Sequence, residues 1–257
     1  MQMSNKLLYL RQHLTLNTMK KIFVTLFALL ALALSMPAQN VHFSEDVNLA
    51  FGNEVFVVEP ISYLGFGYHL PFDGMKDEMK SAFNDEFFVN VMELGFRPFK
   101  GGMFSIGVDY DLDVYRLDKQ HFWTCDTDND KRVHILSIDM YKSVKKSKLM
   151  VHTLSVPVAF ELQAGKCAFR LGAAGEYNLP ASIKSKMVNN HDEVVTVNAK
   201  GIKTQEFGYS LFGAISYGGL GVYVRYRPTY QFISDEAGAW GPQFKTLTVG
   251  AVLGLGM

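Results

Sequence analysis

The chain has 257 residues, 48% hydrophobic and 19% charged, enough to bury a full core in one domain or two. Formal charge is zero, but Lys6, Arg11, Lys20 and Lys21 all precede residue 39, a stretch without an acid. The remainder holds 21 bases against 25 acids and is net acidic, about −4, which argues against a nucleic-acid partner because that would need a basic face.

Taken in chain order, the first recognisable element is 19 to 38. Lys20 and Lys21 precede an apolar run from Ile22 to Leu34, and small residues follow up to Ala38. That is the pattern of a secretory signal peptide, with cleavage expected after Ala38. The run is too short for a spanning helix, which takes roughly 20 apolar residues. Residues 1 to 18 then read as an over-extended start ahead of Met19. No Cys follows the expected cleavage point, so a lipid anchor is not expected. Residues 39 to 54 read as a lead-in or an extra strand, and 55 to 257 as the folded domain.

Within 55 to 257 the recurring signal is strict alternation, the mark of a strand with one apolar and one polar face. From Phe104 to Val114 the even positions are Phe104, Ile106, Val108, Tyr110, Leu112 and Val114, against Ser105, Gly107, Asp109, Asp111 and Asp113. The same pattern returns over 149 to 162, 166 to 179, 205 to 217, 219 to 232 and 247 to 257. Two earlier segments, 55 to 70 and 86 to 99, alternate less cleanly. Connections at Phe99 to Gly102, Gln163 to Lys166 and Tyr217 to Gly219 are tight; those at 71 to 85, 117 to 148, 180 to 204 and 233 to 242 are long and polar. Short and long alternate across eight strands. This predicts an all-β, antiparallel, up-and-down transmembrane β-barrel with its long loops facing outward. Counting 41 to 51 and 132 to 144 as wall strands would give ten but break the alternation. Tyr68, Phe96, Tyr177, Tyr209, Tyr217, Tyr226 and Tyr230 fall on the lipid side as candidate interfacial girdles.

The opposite parity fills the lumen with charge: Glu59, Glu93, Arg97, Asp109, Asp111, Asp113, Glu161, Arg170, Glu176, Glu206, Arg225 and Arg227. Eight-stranded barrels have an interior that side chains fill, so these groups are expected to pair with one another. The predicted network is Glu93, Arg97, Asp109, Asp111, Glu161, Arg170, Glu176, Arg225 and Arg227. Cys125 and Cys167 fall at opposite ends of such a barrel and are expected as free thiols.

The strand from His152 through Val156-Pro157 to Leu162, the Gly-rich partner from Phe169 through Gly172 and Gly175 to Tyr177, and the hairpin from Phe207 to Arg227 resemble the outer-membrane β-barrel family of Bacteroidota called PorT-like. The likeness spans 149 to 257 and departs at Met257, where such barrels commonly end in an aromatic. It implies an outer-membrane location and supplies no catalytic positions.

No catalytic, cofactor or metal site is expected. Asp126, Asp128 and Asp130 open like a calcium loop, but Lys131 stands where the turn needs Gly and Ser137 where it needs a bidentate Glu. The histidines show no metal-ligand spacing, and Lys142, Lys145, Lys146 and Lys148 read as a solvated run or a site for anionic surface glycan or lipid phosphates. The expected function is a non-enzymatic barrel with a membrane-structural or surface-interaction role. Its partners would be outer-membrane lipid, the assembly machinery and a surface or secretion component. The alternatives are an accessory of a secretion apparatus and a rim-sited hydrolase or acyltransferase.

Overall fold

The computed structural model describes residues 55 to 255 except 71, 75, 76, 81, 127 to 130, 140, 236, 237 and 240. The expected start, signal peptide and lead-in (1 to 54), most of the acidic loop and Met257 lie outside the described residues. Strands β1 (Val55–Pro60) and β2 (Leu64–Leu70) are followed by a single helical turn, α1 (Asp77–Lys80). Then come β3 (Asp85–Phe99), β4 (Gly102–Arg116), β5 (His121–Cys125), β6 (Val133–Ser137), β7 (Tyr141–Ala164), β8 (Cys167–Asn178), β9 (Ala181–Asn189) and β10 (Val194–Ile202). The chain continues with β11 (Phe207–Tyr217), β12 (Gly219–Arg227), the two-residue pair β13 (Ser234–Asp235) and β14 (Gly238–Ala239), and β15 (Thr246–Leu255).

Eight strands, β2, β3, β4, β7, β8, β11, β12 and β15, pair antiparallel in chain order, and β15 closes the ring by pairing with β2. The expected eight-stranded barrel is therefore the observed one. β1 continues β2 beyond a break at 61 to 63, and both pair with β3. No helix among the described residues is long and apolar enough to cross a membrane. Closure is what a hydrocarbon environment demands, because an open edge would leave a row of N–H and C=O groups unpaired with no water to receive them.

The wall is inverted relative to a water-soluble protein. Outward residues Val158, Leu171, Leu211, Ile215, Val222 and Leu253 are about half exposed or more, whereas the inward Ser105, Asp109, Asp111, Ser155, Glu161, Arg170 and Arg225 are buried. Aromatic side chains cluster on the outward face at both ends. Tyr68 stacks on Phe83 and Tyr177 packs against Phe207 toward the long loops, while Phe160 packs against both Phe99 and Phe104 near the short turns.

Three features depart from the sequence pattern. In β3 the register slips by one between Asn90 and Met92. The inward set is Glu86, Phe88 and Asn90 before this bulge and Glu93 and Gly95 after it, so no single parity reads through. At the chain end Gly254 has φ +99°, open to glycine but not to side-chain residues. The turn brings Leu255 into the lumen beside Tyr63 and Val252, whereas alternation placed it outside.

Third, the long polar connections are ordered β-structure. β7 begins at Tyr141, and its first ten residues pair with β9, which pairs with β10; β5 and β6 pair only with each other. These pieces close over the long-loop end around an apolar cluster of Met79, Tyr115, Trp123, Leu149, Ile183, Ile202, Phe232 and Phe244. Trp123 anchors the β5–β6 hairpin. Its Nε1 donates to the Tyr115 carbonyl (3.1 Å), and its backbone is held by Ser147 (2.8 Å) and Ser185 (2.7 Å), which bond each other at 2.9 Å.

Candidate functional site

The lumen divides into layers. Below the apolar cap, Arg225 and Arg227 project from alternate positions of β12 into a ring of carboxylates supplied by β3, β4 and β8. Glu86 accepts from Arg225 (2.9 Å) and the Tyr223 hydroxyl (2.8 Å) and forms an ion pair with Arg227 (2.8 Å). Arg225 also pairs with Asp111, which takes a further bond from Ser155 at 2.8 Å. Arg227 reaches Asp113 (3.1 Å) and Glu176 (2.9 Å). All six charged groups are buried. Four carboxylates against two guanidiniums is an acidic excess, relieved in part by hydroxyl donors and by His69, whose Nε2 lies 3.2 Å from Asp113.

A second layer is aromatic. The Arg225 guanidinium lies over the Phe88 ring (4.4 Å to centroid) and Arg170 over Tyr63 (4.7 Å), so the cations bridge the charged and apolar tiers. Phe88 and Tyr223 fit because the facing positions Gly65, Gly67 and Gly250 carry no Cβ: one added there would collide with these rings. Asp109 accepts from Asn90 (2.7 Å) and from the Tyr63 hydroxyl (3.3 Å). Toward the short-turn end, Arg170 pairs with Glu93 (2.7 Å) and Glu161 (3.5 Å).

The residues expected as one network thus fall into two. Arg225, Arg227, Asp111 and Glu176 meet in the upper cluster, Arg170, Glu93 and Glu161 in the lower, with Asp109 between them. Arg97 stands apart at the open mouth, its side chain 44% exposed and 4.0 Å from Glu59. Glu206, placed in the lumen by parity, is exposed where β11 begins. Glu86, the most heavily engaged carboxylate, was missed because the β3 bulge hides the parity that would have placed it inside. Cavities beside Arg170 amount to about 20 Å³ each, room for about one water.

One constellation has the outline of a nucleophile and base. Thr248 Oγ1 lies 2.9 Å from His69 Nδ1, and His69 Nε2 faces Asp113. All three are buried, and His69 stacks on Tyr115 (4.9 Å) directly under the cap, so no substrate reaches the hydroxyl. Three other histidines are held elsewhere: His121 by Asp118, His134 by Asp126 and His152 by Tyr110. Among the described residues no three His, Cys, Asp or Glu side chains are grouped to hold a metal ion. Cys125 lies in the cap hairpin and Cys167 at the short-turn end of β8, both free thiols. On the cap surface, Glu78, Val133 to Leu136, Gly241 and Pro242 line an open groove of about 420 Å³.

A closed eight-stranded ring with an apolar exterior, a charge-paired interior and extended loops at one end is the architecture of a small transmembrane β-barrel. No protein-family model matches the chain, and no curated protein matches it. Among solved structures it is similar to Neisserial surface protein A, at 10% identity and a TM-score of 0.33, over 79% of this chain and 99% of that one. At that distance the strand assignment rests on the pairing within this chain.

Proposed function

We propose that the protein is a non-enzymatic outer-membrane β-barrel of a Gram-negative envelope, of the PorT-like kind found in Bacteroidota, which acts through its long-loop end in membrane structure or surface interaction. The observation that carries this reading is the filled and sealed lumen. Its buried charged groups are spent on each other, the spaces beside Arg170 hold about one water each, and an apolar cap with Trp123 and Phe244 fully buried closes the outward end. A barrel closed this way offers its partners only its rim and its wall. Lipid contacts the apolar wall, the assembly machinery handles the chain on its way in, and a surface or secretion component would meet the ordered hairpins of the cap.

The test is heat-modifiable migration on a detergent gel, combined with membrane fractionation and planar-bilayer recording. The expected result is a compact unheated band in the outer-membrane fraction and no large steady conductance. A large steady conductance would overturn the closed lumen. Recovery of the chain as a detergent-free monomer would overturn the membrane location.

A further inference from the structure

On the outward face of β7 the apolar surface ends in a block of lysines that no carboxylate among the described residues neutralises. β7 is paired with β9 so that Lys148 stands directly opposite Lys184 and Lys146 directly opposite Lys186. The residues between and below them, Ser147 with Ser185 and Leu149 with Ile183, are buried in the cap, so the lysines occupy the opposite, outward face. Arg116 continues the row of Lys148 on β4. Side chains directly opposite on antiparallel strands have Cβ atoms about 5 Å apart, and like charges there destabilise the pairing. The chain carries two such pairs in succession.

Two cations at the edges of this block are already engaged: Arg116 pairs with Asp85, and Lys142 with Asp192 at 2.6 Å. Among the described residues no ion pair is formed by Lys146, Lys148, Lys184 or Lys186. Partial burial, reinforced by the charges of Lys146, Arg116 and Lys184, holds the Lys148 ammonium below the ordinary lysine value, a cost that a nearby anion would relieve.

Position identifies the anion. The outward face of β7 from Leu162 to Met150 covers about 30 Å along the membrane normal at ordinary strand rise and tilt, the thickness of the hydrocarbon. Lys148 stands two residues beyond Met150, about 5 Å further out, with Lys146 and Lys186 about 5 Å beyond that. This is the level of lipid headgroups, on the strand face that continues the lipid-contacting wall. We propose that Lys146, Lys148, Lys184 and Lys186 form a binding face for the phosphate groups of outer-leaflet lipid. The proposal rests on the membrane reading above and adds to it which lipid chemistry the wall selects.

The test uses the full chain refolded in detergent, with bound lipid counted by native mass spectrometry. The probes are diphosphoryl lipid A, the same lipid stripped of phosphate, and inorganic pyrophosphate as a soluble competitor. The phosphorylated lipid is expected to be retained in preference to the stripped one. The K146Q/K186Q variant should lose about 25-fold in retention, from about fivefold per lysine near an anionic surface. K146R/K186R should keep it, and equimolar pyrophosphate should not displace the lipid. Unchanged retention in K146Q/K186Q, equal retention of the stripped lipid, or displacement by pyrophosphate would each overturn the proposal. Because these substitutions remove like-charge repulsion, folding is expected to survive, and K148Q/K184Q supplies a second independent pair. Heat-modifiable migration of the same samples reports on the barrel itself, so failure of the membrane reading and failure of the lysine face are separately visible.

Discussion

Arg227 is the most heavily committed cation in the lumen, and replacing it by Met is the sharpest test of how the interior is held. Its guanidinium lies 2.8 Å from Glu86, 3.1 Å from Asp113 and 2.9 Å from Glu176, with 5% of its side chain exposed. Methionine keeps most of the stem and removes the charge. Glu86, Asp111, Asp113 and Glu176 are then left around Arg225 and His69, in a space too tight to hydrate them. Removing one partner of a buried ion pair costs about 3–5 kcal/mol, because the other charge stays desolvated and uncompensated. R97M is the control. Arg97 is 44% exposed and 4.0 Å from Glu59, so its loss should cost at most about 1 kcal/mol. Both are read by urea titration of the heat-modifiable band in lipid vesicles. E176Q added to R227M should recover part of the loss, since it deletes one of the stranded charges, whereas in the wild-type background it should destabilise. An R227M protein within about 1 kcal/mol of wild type, or an R97M protein equally damaged, would refute the claim that the upper cluster is a dry, mutually dependent network.

V158R places a charge near the middle of the β7 wall, where Val158 is 55% exposed; it should cost about 2–4 kcal/mol in a bilayer. The same change on a water-facing surface would stay within about 0.5 kcal/mol, so a neutral outcome in the urea titration would contradict the lipid-facing wall. W123A empties the centre of the cap and should cost it about 3–5 kcal/mol. Trypsin should then cut at Lys131 and Arg132 while the heat-modifiable band persists, and loss of the band would show that cap and barrel fold as one unit. Burial, with Asp126 adding to it, lifts the Cys125 thiol above its ordinary value. In a C167S background, maleimide labelling should therefore be slow at neutral pH and accelerate as the pH rises; rapid labelling at pH 6 would contradict the buried hairpin.

The barrel was legible because alternation survives wherever a strand runs straight between lipid and lumen. β4, the later part of β7, β8, β11 and β12 each keep one parity throughout, and the short turns between them punctuate the pattern. Legibility fails where the backbone changes phase. The bulge at Val91 swaps the inward set of β3, which hid Glu86 and made the segment look irregular. The cap was illegible for another reason. Its strands face water on one side and a small apolar cluster on the other, and the lysines of 142 to 148 read as a solvated loop because the register shift between Val144 and Lys146 breaks the alternation and the next inward place is held by Ser147. Trp123 and Phe232 could have signalled a buried site, since large aromatics in supposedly polar loops need somewhere to pack.

A charged lumen is an expensive way to fill a barrel, since apolar residues of similar volume often stabilise an interior as well or better. The membrane changes what that comparison means. With apolar side chains on both faces, a strand in lipid would have little to tell inside from outside, and a register slip of one residue would cost little. With Asp109, Asp111 and Asp113 alternating against Tyr110 and Leu112, the same slip would drive three carboxylates into hydrocarbon and their arginine partners would lose them. The cross-lumen pairs act over long sequence separations: Arg225 meets Glu86 and Asp111, and Arg227 meets Asp113, between strands that are not neighbours in the wall. The register of β15 on β2 sets how far the sheet is sheared when it closes, and contacts across the lumen favour that one register over its neighbours. On this argument the interior network specifies closure, while the cap and the outer wall are left free to meet partners.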